Sequence, residues 1–306
     1  MGFVGRFAHR WVLAASLALA AACSACGAGG DGDGGGGEGA GASGPNGSGS
    51  SGSGFGTGST SSGSLDDCLA QAKLIYVVSV DYELYSFDPT VPGSSAYKLV
   101  GPLSCPSPGA PQSMAVSRDA TAYVFYDTGE LFRVSTSDAS CQATAYVHPN
   151  AQVFNQLGMG FTAASPDSEA ETLYIVSPQF GLATVALPSF QVSQTGALVG
   201  AAELTGGPDA KLFHFAAGNA ALGEVALPGY GLSPIHTFTE LSGTQAWAFS
   251  RYAGKFYMFT SPGAGIPSTT TEYDPVTDTS TVRDPSVGFT IVGAGQSTCV
   301  PPPPPM

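Results

Sequence analysis

The chain has 306 residues, 42 of them Gly and 23 Pro, and ten Lys/Arg against 23 Asp/Glu leave a formal net charge of −13. That balance excludes a nucleic-acid binder, which needs a basic face to displace counterions from phosphates. Aromatic content of 10% argues against disorder of the whole chain, and no apolar run reaches the roughly 18–20 residues of a membrane-spanning helix.

Residues 1–26 read as an export signal. Arg6 and Arg10 form a basic start, and Trp11 to Ala22 form a short apolar stretch ending in small residues. Leu19-Ala20-Ala21-Ala22-Cys23 resembles a lipobox, with Ala20 where Leu is usual. The resemblance implies a signal peptide over residues 1–22 and an acylated Cys23 that carries palmitate-type chains. Each buried methylene of such chains is worth about 0.8 kcal/mol, so several chains anchor stably. Cys26 is a second candidate with a poorer approach, and an ordinary secretory signal with an incidental cysteine is the alternative. Ser24 rather than Asp after Cys23, by resemblance to Gram-negative lipoproteins, implies the outer membrane.

Residues 27–64 are almost entirely Gly, Ser, Ala and Thr. They cannot bury enough apolar surface to offset their ordering entropy, so the segment is expected to be a disordered tether. Its expected span is about 35 Å. No Lys-Ser/Thr follows the glycines, so they are no phosphate loop.

Residues 65–300 are expected to fold, and internal repetition decides how. A short apolar strand with a central aromatic recurs around Tyr76, Tyr123, Tyr174, Phe213 and Tyr257, at spacings of 47, 51, 39 and 44 residues. Each copy leads to a further strand and a turn: Phe87-Asp88-Pro89, Ser135-Thr136-Ser137-Asp138, Leu187-Pro188-Ser189, Leu227-Pro228-Gly229 and Tyr273-Asp274-Pro275. Pro fixes φ and Asp hydrogen-bonds its own backbone, which is turn chemistry.

Upstream of all copies but the first lies a strand alternating small and bulky residues. Ser113-Met114-Ala115-Val116-Ser117, Gly158-Met159-Gly160-Phe161-Thr162 and Ala246-Trp247-Ala248-Phe249-Ser250 share a register, and Ala202-Glu203-Leu204-Thr205 is a weaker copy. Gly288-Phe289-Thr290-Ile291-Val292-Gly293 is left over at the C-terminus. Given to the first repeat, it completes five four-stranded sheets, and closure by a terminal strand is how β-propellers remove the edges of a radial array. The expectation is therefore an all-β fold, a five-bladed β-propeller closed by the C-terminal strand, with a β-sandwich as the alternative. Pro301 to Pro305 read as a short polyproline II tail over residues 301–306.

The domain resembles five-bladed propellers with YVTN/NHL-like repeats, and the whole chain resembles myxobacterial-type lipoproteins with an anchor, a Gly/Ser tether and a Ser-Met-Ala-Val…Ser-Thr-Cys propeller. The resemblance implies export and fold, and no activity.

Setting aside Cys23 and Cys26, four cysteines remain, which allow three pairings. The closing strand should bring Cys299 to Cys68, before Leu74; so long a closed loop is worth about 4–5 kcal/mol in the entropic model. Cys105 is then left with Cys141, although the strand count puts those two nearer opposite faces. No spacing suggests zinc or clustered calcium ligands, and no cofactor or metal is expected.

Propeller sites usually sit at the mouth of the central tunnel. Glu203 is the sole carboxylate of the expected inner strands, whereas five-bladed glycosidases need carboxylates from several blades. His148, His214 and His236 read as core or surface residues. No nucleophile elbow or His-Glu-x-x-His motif occurs, so no catalytic residue is assigned. Gln112, Gln156 and Gln245, with Trp247 and Glu203, form the candidate ligand pocket at the mouth, since amides and aromatics suit a small polar ligand. The alternative is that the apolar members only pack between blades. The expected function is a lipid-anchored, monomeric envelope propeller. It would bind a protein or small polar ligand without catalysis and touch the membrane only through lipid. The alternative is an envelope enzyme of glycosidase or glutaminyl-cyclase type.

Overall fold

A computed structural model of the chain describes residues 68–148, 156–166, 168–198, 200–216, 218–263 and 265–304. The expected signal peptide, Cys23, Cys26 and the Gly/Ser tether lie outside the described residues, as does Pro305.

Among the described residues, twenty strands build five antiparallel sheets of four. Blade one holds β1 (Ile75–Ser79), β2 (Glu83–Phe87) and β3 (Tyr97–Pro102); blade two holds β4 (Pro111–Val116), β5 (Thr121–Tyr126), β6 (Leu131–Ser135) and β7 (Cys141–Ala143). Blade three holds β8 (Gly158–Ala163), β9 (Glu171–Ser177), β10 (Gly181–Ala186) and β11 (Gln191–Gly196). Blade four holds β12 (Ala202–Gly206), β13 (Leu212–Ala216), β14 (Ala221–Val225) and β15 (Leu232–Thr237). Blade five holds β16 (Ala246–Tyr252), β17 (Lys255–Ser261), β18 (Thr269–Asp274) and β19 (Thr279–Asp284). The last strand, β20 (Ile291–Gln296), pairs with β1 and is the inner strand of blade one. The chain is an all-β, five-bladed propeller.

The inner strands β20, β4, β8, β12 and β16 each touch the next, so they ring a central axis. Small residues are required there. A Cβ on Gly158 would sit 1.9 Å from the Ala202 carbonyl oxygen, and one on Gly295 would sit 2.8 Å from Ala115 Cα. The apolar core is divided into wedges between successive blades. Phe161 and Ile175 meet Tyr123 and Phe125 between blades two and three, and Phe213 and Phe215 meet Phe249 and Phe256 between blades four and five.

The expected turns occur between third and fourth strands. Oδ1 of Asp88, Asp138 and Asp274 accepts the backbone N–H of Thr90, Ser140 and Val276 at 2.9, 3.0 and 2.9 Å. The Leu187–Pro188 and Leu227–Pro228 bonds are cis. In four blades the register between third and fourth strands shifts, at Leu84/Tyr85, Leu182/Ala183, Leu222/Gly223 and Thr270/Thr271. Such bulges sharpen twist at an edge and discourage pairing with other chains. Blade two has no such shift. Its outer strand β7 is only three residues long and begins at a disulfide.

Both disulfides form: Cys68–Cys299 over a separation of 231 residues, and Cys105–Cys141 over 36. Two expectations need correction. The closing strand begins at Ile291, three residues later than the pattern suggested, because Gly288 has φ +92°. The Phe289 carbonyl instead accepts the Ser268 N–H at 2.8 Å, and its ring stacks on Tyr85 at 4.1 Å. Cys105 and Cys141 are also not on opposite faces. Each strand is rotated by about 20–25° from its neighbour, so upper and lower ends lose their meaning at the outer edge. The turn before β7 lies over blade one, where a Cβ on Gly101 would be 3.3 Å from that of Ala139. The proline tail does not stand apart: the Pro301 carbonyl accepts the Ala253 N–H at 3.1 Å, and Pro303 lies against Gly254.

Candidate functional site

Inner strands run from the mouth of the ring to its far end. Four of them present their second residue at the mouth: Gln112 on β4, Glu203 on β12, Trp247 on β16 and Val292 on β20. Blade three contributes Gln156, two residues before β8, and Gln245 precedes β16 in blade five. Together with Pro111 and Ala246 these residues enclose a cavity of about 130 Å³. All five residues expected at the mouth are thus brought to one cavity. A cavity of about 150 Å³ holds a benzene, so this one admits a group of about five or six non-hydrogen atoms.

Glu203 is 5% exposed. Its carboxyl accepts a hydrogen bond from Ser113 Oγ at 2.8 Å, across the ring from β4, and another from the Met159 backbone N–H. Burial pushes its pKa well above the usual carboxylate range, and the two hydrogen bonds oppose that only in part. Of the inner strands, only β12 and β16 carry a charged residue, Glu203 and Arg251. Arg251 is at the far end, paired with Asp209 at 2.8 Å and lying over the Phe213 ring at 4.6 Å. Glu203 has no ion-pair partner among the described residues.

The amides are loosely held. Gln112 Oε1 accepts the Leu157 N–H at 3.3 Å, and Gln245 Nε2 donates to the Gly243 carbonyl at 3.4 Å. Trp247 is partly exposed, yet its indole nitrogen is buried without a partner among the described residues. What it offers the cavity is ring-carbon surface.

The far end of the tunnel is filled. Gln296 Oε1 accepts from Thr205 Oγ1 at 2.8 Å and from Ser250 Oγ, and its Nε2 donates to the Gly206 carbonyl at 2.6 Å. Only the mouth is open to a ligand. The sequence reading missed this plug because the closing strand was set three residues early. It also missed Ser113 as the partner of Glu203, although Ser113 stood on an expected inner strand.

The histidines stay apart from the mouth. His148 is buried among Phe125, Tyr146 and Phe180, and burial lowers the pKa of His214. His236 Nδ1 lies 3.0 Å from Asp278 on the outer edge of blade four. No cluster of metal-ligating side chains occurs among the described residues. Larger depressions lie on the perimeter, such as one of about 600 Å³ along blade four beside His214, Leu232 and Pro234. They lack the convergence of several blades that the mouth has.

No protein-family model matches the sequence, and no curated protein matches it. Among solved structures, a chain of a nidogen/laminin complex is 11% identical, with a TM-score of 0.46 over 72% of this chain and 97% of that one. A protein of unknown function from Bacteroides caccae is 13% identical, with a TM-score of 0.42 over 74% of this chain and 83% of that one. The blade count rests on the strand pairing described above.

Proposed function

We propose that the protein is a lipid-anchored binding module of the cell envelope, without catalysis, whose ligand enters the mouth of the propeller. The observation that carries this reading is the convergence of all five blades on one cavity, with Glu203 as its single carboxylate. Acid–base hydrolysis of a glycosidic bond needs two carboxyl groups about 5–10 Å apart. Amides held by single long hydrogen bonds, an indole surface and a closed far end suit capture of a compact polar group. The lipobox at Cys23 and the two disulfides support an oxidising, extracytoplasmic setting. Sorting to the outer membrane follows from Ser24.

The test is a thermal-shift panel of monosaccharides, amino acids and small alkylammonium ions on the wild type and on Trp247→Ala. At least one class should raise the melting temperature of the wild type and leave the variant unmoved. Equal shifts in both proteins, or none in either, would remove the mouth as the site. Turnover of chromogenic glycosides or of N-terminal glutaminyl peptides would instead support the enzymatic alternative.

A further inference from the structure

We propose that the mouth is an ammonium site: Glu203 is the counter-ion for a compact alkylammonium group that rests on the Trp247 ring surface among the amide oxygens of Gln156 and Gln245. The inference rests on the mouth being the binding site and names what it takes.

Three observations converge on a cation. First, Glu203 is a buried carboxyl lining an open cavity with no positive partner. The other two carboxylates buried to this degree among the described residues do not line this cavity. Asp284 Oδ1 accepts the Ser286 N–H at 3.0 Å, and Glu272 is held by Lys255 at 2.7 Å and Arg283 at 3.2 Å. A buried carboxyl without a cation is costly to ionise, and an incoming ammonium removes that cost. Second, Trp247 presents carbon surface while its N–H is buried, which favours attraction of a cation over donation to an anion. Third, the field of a chain with net charge −13 draws cations towards it. The size of the cavity, about 130 Å³, limits the bound part to a head group such as a short alkylammonium or the tip of a lysine.

Protons balance in the binding step. Burial raises the pKa of the empty-site carboxyl, so RNH3+ binding draws the carboxylate form and sets free whatever proton the carboxyl held, leaving the carboxylate–ammonium pair. The groups that face Glu203 do not titrate. Ser113 reaches it from β4 and the Met159 amide from β8, while Trp247 on β16 and Val292 on β20 are uncharged. Rising pH therefore strengthens ammonium binding until the ammonium itself deprotonates.

The full chain is titrated calorimetrically with n-propylammonium, n-propanol, propionate and Nα-acetyl-lysine amide, in two buffers of different ionisation enthalpy. Propylammonium should bind saturably, with proton release that Glu203→Gln abolishes. Propanol and propionate should bind at least about tenfold more weakly. Glu203→Gln keeps an acceptor for Ser113 and should lose the same factor for propylammonium, with a melting temperature no lower than wild type. A lysine derivative that binds as well as propylammonium assigns the site to a lysine-bearing partner; one that does not assigns it to a free amine. Equal binding of propanol and propylammonium, or undiminished ammonium binding by Glu203→Gln, overturns the proposal while leaving the mouth as a site for neutral ligands. Binding of none of the four overturns it, and the separate panel above decides whether the mouth binds anything else.

Discussion

Two carboxyls with raised pKa values, the partly buried Glu171 and the buried Glu203, weaken the fold as pH rises, whereas His214, whose pKa burial lowers, works the other way. Glu171, at the start of β9, accepts hydrogen bonds from the Arg118 N–H at 2.7 Å and from Thr298 Oγ1 at 3.1 Å, yet burial pushes its pKa up to about 7. Glu203 is shifted in the same direction. A raised folded pKa means that the native state holds more protons than the unfolded chain, so stability is full below the unfolded value and falls as pH rises. The window for Glu171 runs from the ordinary value of 4.5 to about 7, with a slope of up to about 1.4 kcal/mol per pH unit. The melting temperature of the wild type minus that of Glu171→Gln, measured across about pH 5–8 around that window, should fall with rising pH, since the His214 contribution is common to both. A difference that stays flat or rises through this window would contradict the assignment. Glycines on the inner strands act at the same scale. Gly158→Ala places a methyl against the Ala202 carbonyl and should cost at least about 1–3 kcal/mol in chemical denaturation. That glycine was legible as part of an alternating strand. Its need for a bare backbone was not, because the need belongs to the neighbouring blade.

Among the elements, β20 carries the closure. Truncation before Ile291 would leave β1 unpaired on its inner side and remove Ile291 and Ala294 from the wedge between blades five and one. Burial of one large apolar side chain is worth about 1.5–3 kcal/mol, and an exposed edge templates aggregation. The truncated protein should be lost to the insoluble fraction. A double change of Cys68 and Cys299 to Ser should stay soluble and only melt lower, since the entropic worth of that bridge is about 5 kcal/mol against an otherwise complete ring. Soluble, cooperative unfolding of the truncated chain would show that β20 is dispensable. Strand identity was readable because aromatic and small residues alternate with period two. The register of β20 was not, because Phe289 and Ile291 fit the same alternation and only contacts with Ser268 and Tyr85 separate them. The Cys105–Cys141 pairing followed by elimination, whereas its geometry depended on twist accumulated across a whole blade.

For the whole molecule, the repeat period sufficed for the architecture, and the mouth residues followed from it. Gln112, Gln156, Glu203, Gln245 and Trp247 lie at the start of inner strands, so once those strands were placed their convergence was fixed. Ligand chemistry was not legible, since it depends on what Glu203 lacks: a counter-ion, which only the packed ring can show. The proposed location rests on the other end of the sequence. Cys23→Ala should abolish palmitate labelling and move the protein from membranes to soluble fractions; persistent labelling would contradict the lipobox reading. The central claim is that ligands act at the mouth, and 19F NMR of protein carrying 5-fluorotryptophan tests it most directly. Of the two tryptophans in the sequence, Trp11 leaves with the proposed signal peptide and Trp247 remains, and Trp247→Phe assigns the resonance. Saturating propylammonium should shift the Trp247 signal, and Glu203→Gln should suppress the shift. An unmoved Trp247 resonance under a ligand that calorimetry shows to be bound would place the site elsewhere on the propeller.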